Sequence, residues 1–393
     1  MARFSGVGAG AMSRDDLQGN SAMNEAVNAP SLVRRLREEM ANVGQISDLR
    51  GSGPEPDSML LSDFDVTVGG LPDVLEYQGE FGTEIVTFVP TIRWYHLVGL
   101  MKGRRVRTYP GMRAFYYFLS DSQYEEKKEG RKHYQANAMP AFAQNRNEQY
   151  AIRRPLEFHT DYRDVFCNDI FRFDKPALVI HSKYNNEWDN GPVNFISNQQ
   201  LHALCSEFEN AFQLVYFRQG VTTPPSGYSI DHNQTREFSD LDVLRSHPDV
   251  LIFDELFLCG PEGERYNFYK NMLYANCFHF VAAQGGGAHH CALFSGSILL
   301  VLHRAGPEML FAYARGFYRH LANPAPLLLV AGTPSEFVSG VSVVAQSRVL
   351  GDRVFPAPET WDAARRLMPE PAARHTAAAK DLFLRDSGGS NAA

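Results

Sequence analysis

"FVAAQGGGAHHCALFSGS", Phe280 to Ser297, decides how this chain is read. An apolar run ends in three glycines, two histidines follow, and apolar residues resume. A buried strand that closes on Gly285, Gly286 and Gly287 and opens a short helix near Ala288 gives that pattern. Glycine lets a ligand approach the backbone with no side chain between them. The unpaired N–H groups at a helix start favour an anion. The turn is therefore a candidate for a diphosphate or for the phosphate side of a nucleotide. The spacing is not GxGxxG and no lysine follows as in a Walker loop, which argues against dinucleotide and ATP-hydrolase readings. A plain tight turn in a sheet protein is the alternative. His289 and His290 are adjacent and point apart on a helix, so one can meet a phosphate or sugar oxygen while the other is structural. No spaced Asp or Glu accompanies them, and no metal ligand set is expected.

The same rhythm extends outward. "PALVIHS" (176–182), "FQLVYFR" (212–218), "VLIFDELF" (250–257), "FHFVAAQ" (278–284) and "SILLVLH" (297–303) are strand-like apolar runs, and "APLLLVA" (325–331) is a further one. Between them "SNQQLHALCSEFENA", capped by Ser197, "LDVLRSHPD" and "YNFYKNMLYANC" have helical character. Alternating strands and helices imply a largely parallel sheet covered on both faces. Such sheets bind ligands at the carboxyl ends of their strands.

Those ends supply the other candidates. His181, Lys183 and Tyr184 begin the loop after the first of these strands, with Lys183 as a point charge for phosphate and Tyr184 or Trp188 to cover a ring. Arg218 ends the next and offers a fork for a diphosphate. Asp254 and Glu255 can accept from ribose or base, and Arg304 can serve a phosphate. A polar surface loop, a helix cap or a surface pair is the plain alternative at these positions.

Upstream, residues 1–58 read as a flexible tail holding one short helix, "SLVRRLREEMANVG". Residues 59–174 read as a first α/β domain. Its strand ends near Tyr77, its helix starts near Glu84, and strands are expected in "GRRVRTYPG" and "RAFYYFLS". The polar run "YEEKKEGRKHY" is expected to be exposed. Residues 175–333 form the second domain. Residues 334–393 are a C-terminal segment that is a candidate to return to the first domain. In "YQGEFGTEI", Gly79 and Gly82 bracket Glu80, and Glu84 opens the helix. Glu80, Glu84, Asp161 and the nearby His159 are the candidates for a base near an acceptor hydroxyl.

Composition bounds the classes. The chain has 393 residues, 44% hydrophobic and 21% charged, with a net charge of -7, which disfavours a nucleic-acid binder. Its five cysteines form no paired spacing, in keeping with a reducing compartment. No run approaches the roughly 20 apolar residues of a membrane span, and the first residues lack a signal-peptide core. A cytoplasmic protein, with peripheral contact to a lipid-linked partner left open, is the expectation.

From about Leu75 to about Pro324 the chain resembles a two-domain glycosyltransferase of the GT-B type. "QGEFGTEI" resembles the glycine-rich loop that opens the acceptor domain. "AAQGGGAHHCALFSGSILLVLHR" resembles the "GxHGAGLxN…P" segment of plant-type and animal-type glycosyltransferases, although Gln284-Gly285 stands for its HG. "VIHSKYNNEW" departs from the HxRRxD loop of the fucosyltransferases. The resemblance implies two Rossmann-like domains facing each other across a cleft. It implies transfer of a sugar from a nucleotide-diphosphate sugar to a glycan or glycolipid hydroxyl, with no cofactor and no metal. Gly285 to Gly287 and His289 would then face the donor diphosphate. Two rival expectations stand beside it: a polysaccharide pyruvyl transferase-like enzyme, and a non-catalytic nucleotide- or glycan-binding protein.

Overall fold

The computed structural model describes residues 29–43, 71–97, 99–128, 131, 162–187, 191–218, 236–257, 265–306, 308–309, 313, 318 and 321–369. Within them lie two separate, mostly parallel sheets flanked by helices, a two-part α/β arrangement.

The first helix, α1 (Ala29–Met40), was expected within a tail. It is docked instead: Leu32, Val33, Leu36 and Met40 are buried, and the Tyr269 hydroxyl donates to the Met40 carbonyl at 2.8 Å. The small sheet runs β1 (Val74–Glu76), β2 (Arg105–Thr108), β3 (Tyr124–Glu126), all parallel. Between β1 and β2 come α2 (Phe81–Thr83), a π-helical turn (Glu84–Phe88) and α3 (Val89–Leu97). The wide turn has a local cause, because Pro90 has no N–H to give the preceding turn. "RAFYYFLS" is not the expected strand. Arg113 donates to the carbonyls of Tyr116 and Leu119 at 2.6 and 2.8 Å and holds a 3₁₀ turn, Arg113–Tyr116. That turn buries Phe115, Tyr116 and Tyr117 together, which an alternating strand cannot do. The polar run, expected to be only exposed, supplies β3, tied to β2 by the Arg107–Glu125 and Arg105–Glu125 ion pairs. A short helix, α4 (Tyr162–Phe166), then packs its aromatic face on the second part.

The large sheet contains β4 (Ala177–Ser182), β5 (Gln213–Arg218), β6 (Leu251–Ile252), β7 (His279–Ala283), β8 (Ile298–Leu302) and β9 (Leu327–Ala331). Its spatial order is β6-β5-β4-β7-β8-β9, and every pairing is parallel. Counted from β4, that is 3-2-1-4-5-6, the order of a doubly wound dinucleotide-type sheet. The helices α5 (Asn198–Phe208), α6 (Asp240–Arg245), α7 (Tyr266–Ala275) and α8 (Gly286–Cys291) join these strands. Ser197 caps α5 through a capping box with Gln200, as its position in the sequence predicts. β6 is shorter than "VLIFDELF" suggested, because an edge strand pairs on one side only and Phe253 and Phe257 leave it to enter the core.

Both faces of the large sheet are buried, which explains its unbroken apolar strands. Val179, Val215, Phe280, Ala282, Leu299 and Val301 face a core shared with α1, α7, α8 and the first part of the chain. Leu178, Ile180, Tyr216, Val281 and Leu300 face a second core under α5 and α9 (Pro334–Gln346). After α9 come the hairpin β10 (Arg348–Leu350) and β11 (Arg353–Phe355) and then α10 (Trp361–Leu367). Phe337, Val344, Ala364 and Leu367 lie in that second core, so the described part of the C-terminal segment stays with the large sheet and does not return to the first domain.

Candidate functional site

The strand order reverses between β4 and β7, and the two loops singled out in the sequence leave their carboxyl ends side by side. At the end of β7, Gly285 has φ of 129°, outside the range side chains adopt, and starts α8. Lys183 crosses from β4. Its Nζ donates to Gln284 Oε1 at 2.8 Å and lies 2.9 Å from Glu187 Oε2. Glu187 is fixed independently by the Asn194 main-chain N–H and by Asn194 Nδ2, each at 2.8 Å. Asn194 Oδ1 in turn accepts from the Arg304 N–H at 2.6 Å, which ties in the loop after β8.

The remaining glycines are approached by the protein itself. A Cβ on Gly286 would stand 3.1 Å from the Phe81 ring and 3.3 Å from the Gly82 nitrogen, so α2 of the first part lies edge to edge with the start of α8. A Cβ on Gly287 would fall 2.2 Å from the His181 ring. That ring is stacked on Phe217 and its Nε2 accepts from Lys270 Nζ at 3.1 Å. Burial, then the neighbouring Lys270 charge, hold His181 well below the usual imidazole range. Burial also brings Lys270 down to about 8.

The two histidines of the motif diverge as expected. His289 Nδ1 is 2.6 Å from the Tyr318 hydroxyl, and burial lowers its pKa to about 4. A Cβ on Gly82 would stand 2.8 Å from the His289 ring, so His289 borders the first part of the chain. His290 has no exposed surface. It donates from Nε2 to Asn271 Oδ1 at 2.6 Å among Phe81, Phe115, Tyr274 and Phe294. It is a core residue, held well below its ordinary pKa by burial.

The other candidates scatter. Arg218 is closed into a buried pair with Asp240, which also accepts from the Tyr216 hydroxyl at 2.6 Å. Tyr184 stacks on Phe238, with ring centroids 4.3 Å apart. The Arg304 guanidinium reaches the Val193 carbonyl and Gln200 Oε1 at 2.9 and 3.1 Å. Glu255 lies beyond β6 at the sheet edge, where its carbonyl accepts from Arg37 of α1, two strands away from the switch between β4 and β7. Glu84 is fully buried. Its oxygens accept from Thr108, Tyr116 and Arg131, and Arg131 lies over the Tyr109 ring. Both carboxylate oxygens are thus engaged within the protein, the geometry of a structural anchor. Glu80 is half-buried at the N-cap of α2, next to the Phe81 that meets Gly286. His159 and Asp161 lie outside the described residues.

Sequence reasoning passed over Asn194, Glu187, Lys270, His303 and Glu308. The last two carried a usable signal, since His303 directly follows β8 at its carboxyl end and Glu308 comes shortly after it, on helical backbone. Burial raises the Glu308 pKa, but His303 and Lys183 outweigh it and leave the carboxyl below its usual value. Among the described residues no group of three or more His, Cys, Asp or Glu could hold a metal ion, and no helix is long and apolar enough to cross a membrane. No family model, curated protein or solved structure matches the chain.

Proposed function

We propose that the chain is a glycosyltransferase that moves a sugar from a nucleotide-diphosphate sugar to a hydroxyl of a glycan or glycolipid acceptor, with the donor held at the β4–β7 switch and the GT-B domain arrangement around it. One observation carries the reading: the reversal of a 3-2-1-4-5-6 sheet falls between the Lys183 loop and the Gly285 turn. Lys183 and the N–H groups that open α8 supply positive potential where charge develops on a leaving diphosphate. Lys183 can exchange Glu187 for a phosphate oxygen at modest cost, because Glu187 keeps its bonds to Asn194. Because Phe81 and Gly82 occupy the flank at Gly286, the donor lies on the opposite flank, towards Gln284 and the loop after β8. We assign the base that acts on an acceptor to Glu80, the half-buried carboxylate at the α2 start in the first part of the chain.

Titration of the purified protein with UDP, GDP and phosphoenolpyruvate, followed by calorimetry and thermal shift, tests this. A ligand that prefers the folded state raises the apparent stability. The expected result is binding of a nucleoside diphosphate that Lys183→Ala weakens by about tenfold or more. Binding of phosphoenolpyruvate alone would transfer the site to pyruvyl transfer. Nucleotide binding with no turnover of any nucleotide sugar would make the chain a binding protein.

A further inference from the structure

At the carboxyl end of β8 stand two polar groups whose buried, facing atoms lack a hydrogen-bond partner. His303 continues from β8, its N–H donating to the Ala331 carbonyl at 2.9 Å, and its side chain is 6% exposed. Glu308 follows on helical backbone after it, with its side chain 13% exposed. His303 Nε2 and Glu308 Oε2 have no solvent-accessible surface of consequence and no hydrogen-bond partner, and they stand 3.8 Å apart. That is too long for a direct hydrogen bond. A buried polar atom without a partner is costly, and two facing each other at one spot are rarely accidental. One hydroxyl oxygen about 2.8 Å from each completes both: its hydrogen goes to the carboxylate while its lone pair accepts from the imidazole N–H.

We propose that His303 and Glu308 are a recognition pair for a sugar hydroxyl of the bound ligand. The pair accepts and donates at once, so it selects a hydroxyl over a hydrogen or a methyl group. A site built around such a group rejects the analogue that lacks it more strongly than an apolar pocket rejects a size change. Glu308 also feels the charge of Lys183, in keeping with one ligand that meets both. The inference rests on the nucleotide-sugar reading for the class of ligand, and the hydroxyl belongs either to the ribose or to the transferred sugar.

The test compares wild type, Glu308→Gln and His303→Gln by calorimetry, with folding checked by thermal melting. The probes are inorganic pyrophosphate, UDP and GDP, their 2′-deoxy and 3′-deoxy forms, UDP-glucose and GDP-mannose. Wild type is expected to lose about tenfold in affinity with one hydroxyl-deleted probe, or to gain that factor from an attached hexose. Both variants should erase that discrimination while pyrophosphate binds as in wild type. A deoxyribose effect assigns the pair to the ribose, and a hexose effect assigns it to the transferred sugar. Variants that keep full discrimination overturn the inference while the donor-site reading stands. So does an equal loss for pyrophosphate. If no nucleotide or pyrophosphate binds to wild type, the inference falls together with the reading beneath it. Should one variant fail to fold, the other carries the same comparison.

Discussion

Replacing Lys270 by methionine probes the cation beneath the glycine helix. Lys270 is 3% exposed, lies over the rings of Phe217 and Tyr274, and donates to His181. Burial lowers its pKa from 10.5 to about 8, and the resulting penalty on the charged form is roughly 3 kcal/mol. The sign follows from proton counting. Between about pH 8 and 10.5 the unfolded chain holds a proton at this site that the folded chain has lost, so stability rises with pH there. The rise begins as pH approaches the folded value, and from pH 7 to 9 it amounts to roughly 1 kcal/mol. Cys205 and Cys277, each raised to about 12 by burial, act in the opposite direction above pH 9, so the wild-type curve alone does not isolate Lys270. The difference between wild type and Lys270→Met does, because the cysteines are common to both. At pH 7 the variant gains by removing a buried charge and loses by leaving His181 Nε2 without its donor, about 1–3 kcal/mol. Its standing relative to wild type should therefore worsen by roughly 1 kcal/mol between pH 7 and 9. Urea unfolding at pH 7, 8 and 9, with the denaturant dependence held in common, measures it. Parallel curves for the two proteins would refute a lysine that loses its proton within the fold.

Acid should unfold the protein early. His279 and His289 have pKa values lowered to about 4 by burial, so their stabilising effect is complete above about pH 6.5 and is lost as pH falls towards 4. Neither ring nitrogen of His279 has a partner, and His279→Leu should raise the melting temperature at pH 7 and raise it further at pH 5. Arg131→Met leaves Glu84 charged and buried without its guanidinium, and should cost about 3–5 kcal/mol in denaturant melts. Gly287→Ala drives a methyl group into the His181 ring and should cost roughly 1–3 kcal/mol, more than Gly286→Ala, whose nearest neighbour is a ring edge 3.1 Å away. Equal melting temperatures for those two variants would remove His181 as the reason for the second helical glycine.

The large sheet was legible because parallel strands buried on both faces write themselves as short, unbroken apolar runs: "PALVIHS", "FQLVYFR", "FHFVAAQ" and "SILLVLH" each form a strand. The helices between them announced themselves by caps such as Ser197. Strand order was not legible, since β4 pairs with β7 across about 100 residues and no local pattern encodes that choice. The small sheet was harder to read. Its strands are three or four residues long, and "RAFYYFLS" has the composition of a strand while Arg113 imposes a turn. For the candidate site, position at a carboxyl end found Lys183 and Gly285, but it gave no means of telling free groups from paired ones. Arg218 and Glu84 read as available cation and base, yet Asp240 and Arg131, distant in sequence, engage them.

The three glycines show how one motif divides its work. Gly285 is required by conformation, since its φ of 129° admits no other residue comfortably. Gly286 and Gly287 are required by space, and in each case the body that comes close is protein: Gly82 with Phe81 at one, His181 at the other. A ligand-facing reason for all three would predict that side chains at 286 and 287 crowd only the ligand. The packing predicts instead that they disturb the seam between the two parts of the chain, and through His181 the Lys270 contact as well. A leucine at 286 is therefore a poor probe of phosphate binding, because it strains the seam first. Lys183 is the better probe. It touches the turn at Gly285, belongs to neither the α2–α8 seam nor the His181 stack, and its partners Gln284 and Glu187 retain a hydrogen-bonding neighbour in Asn194 when it is removed.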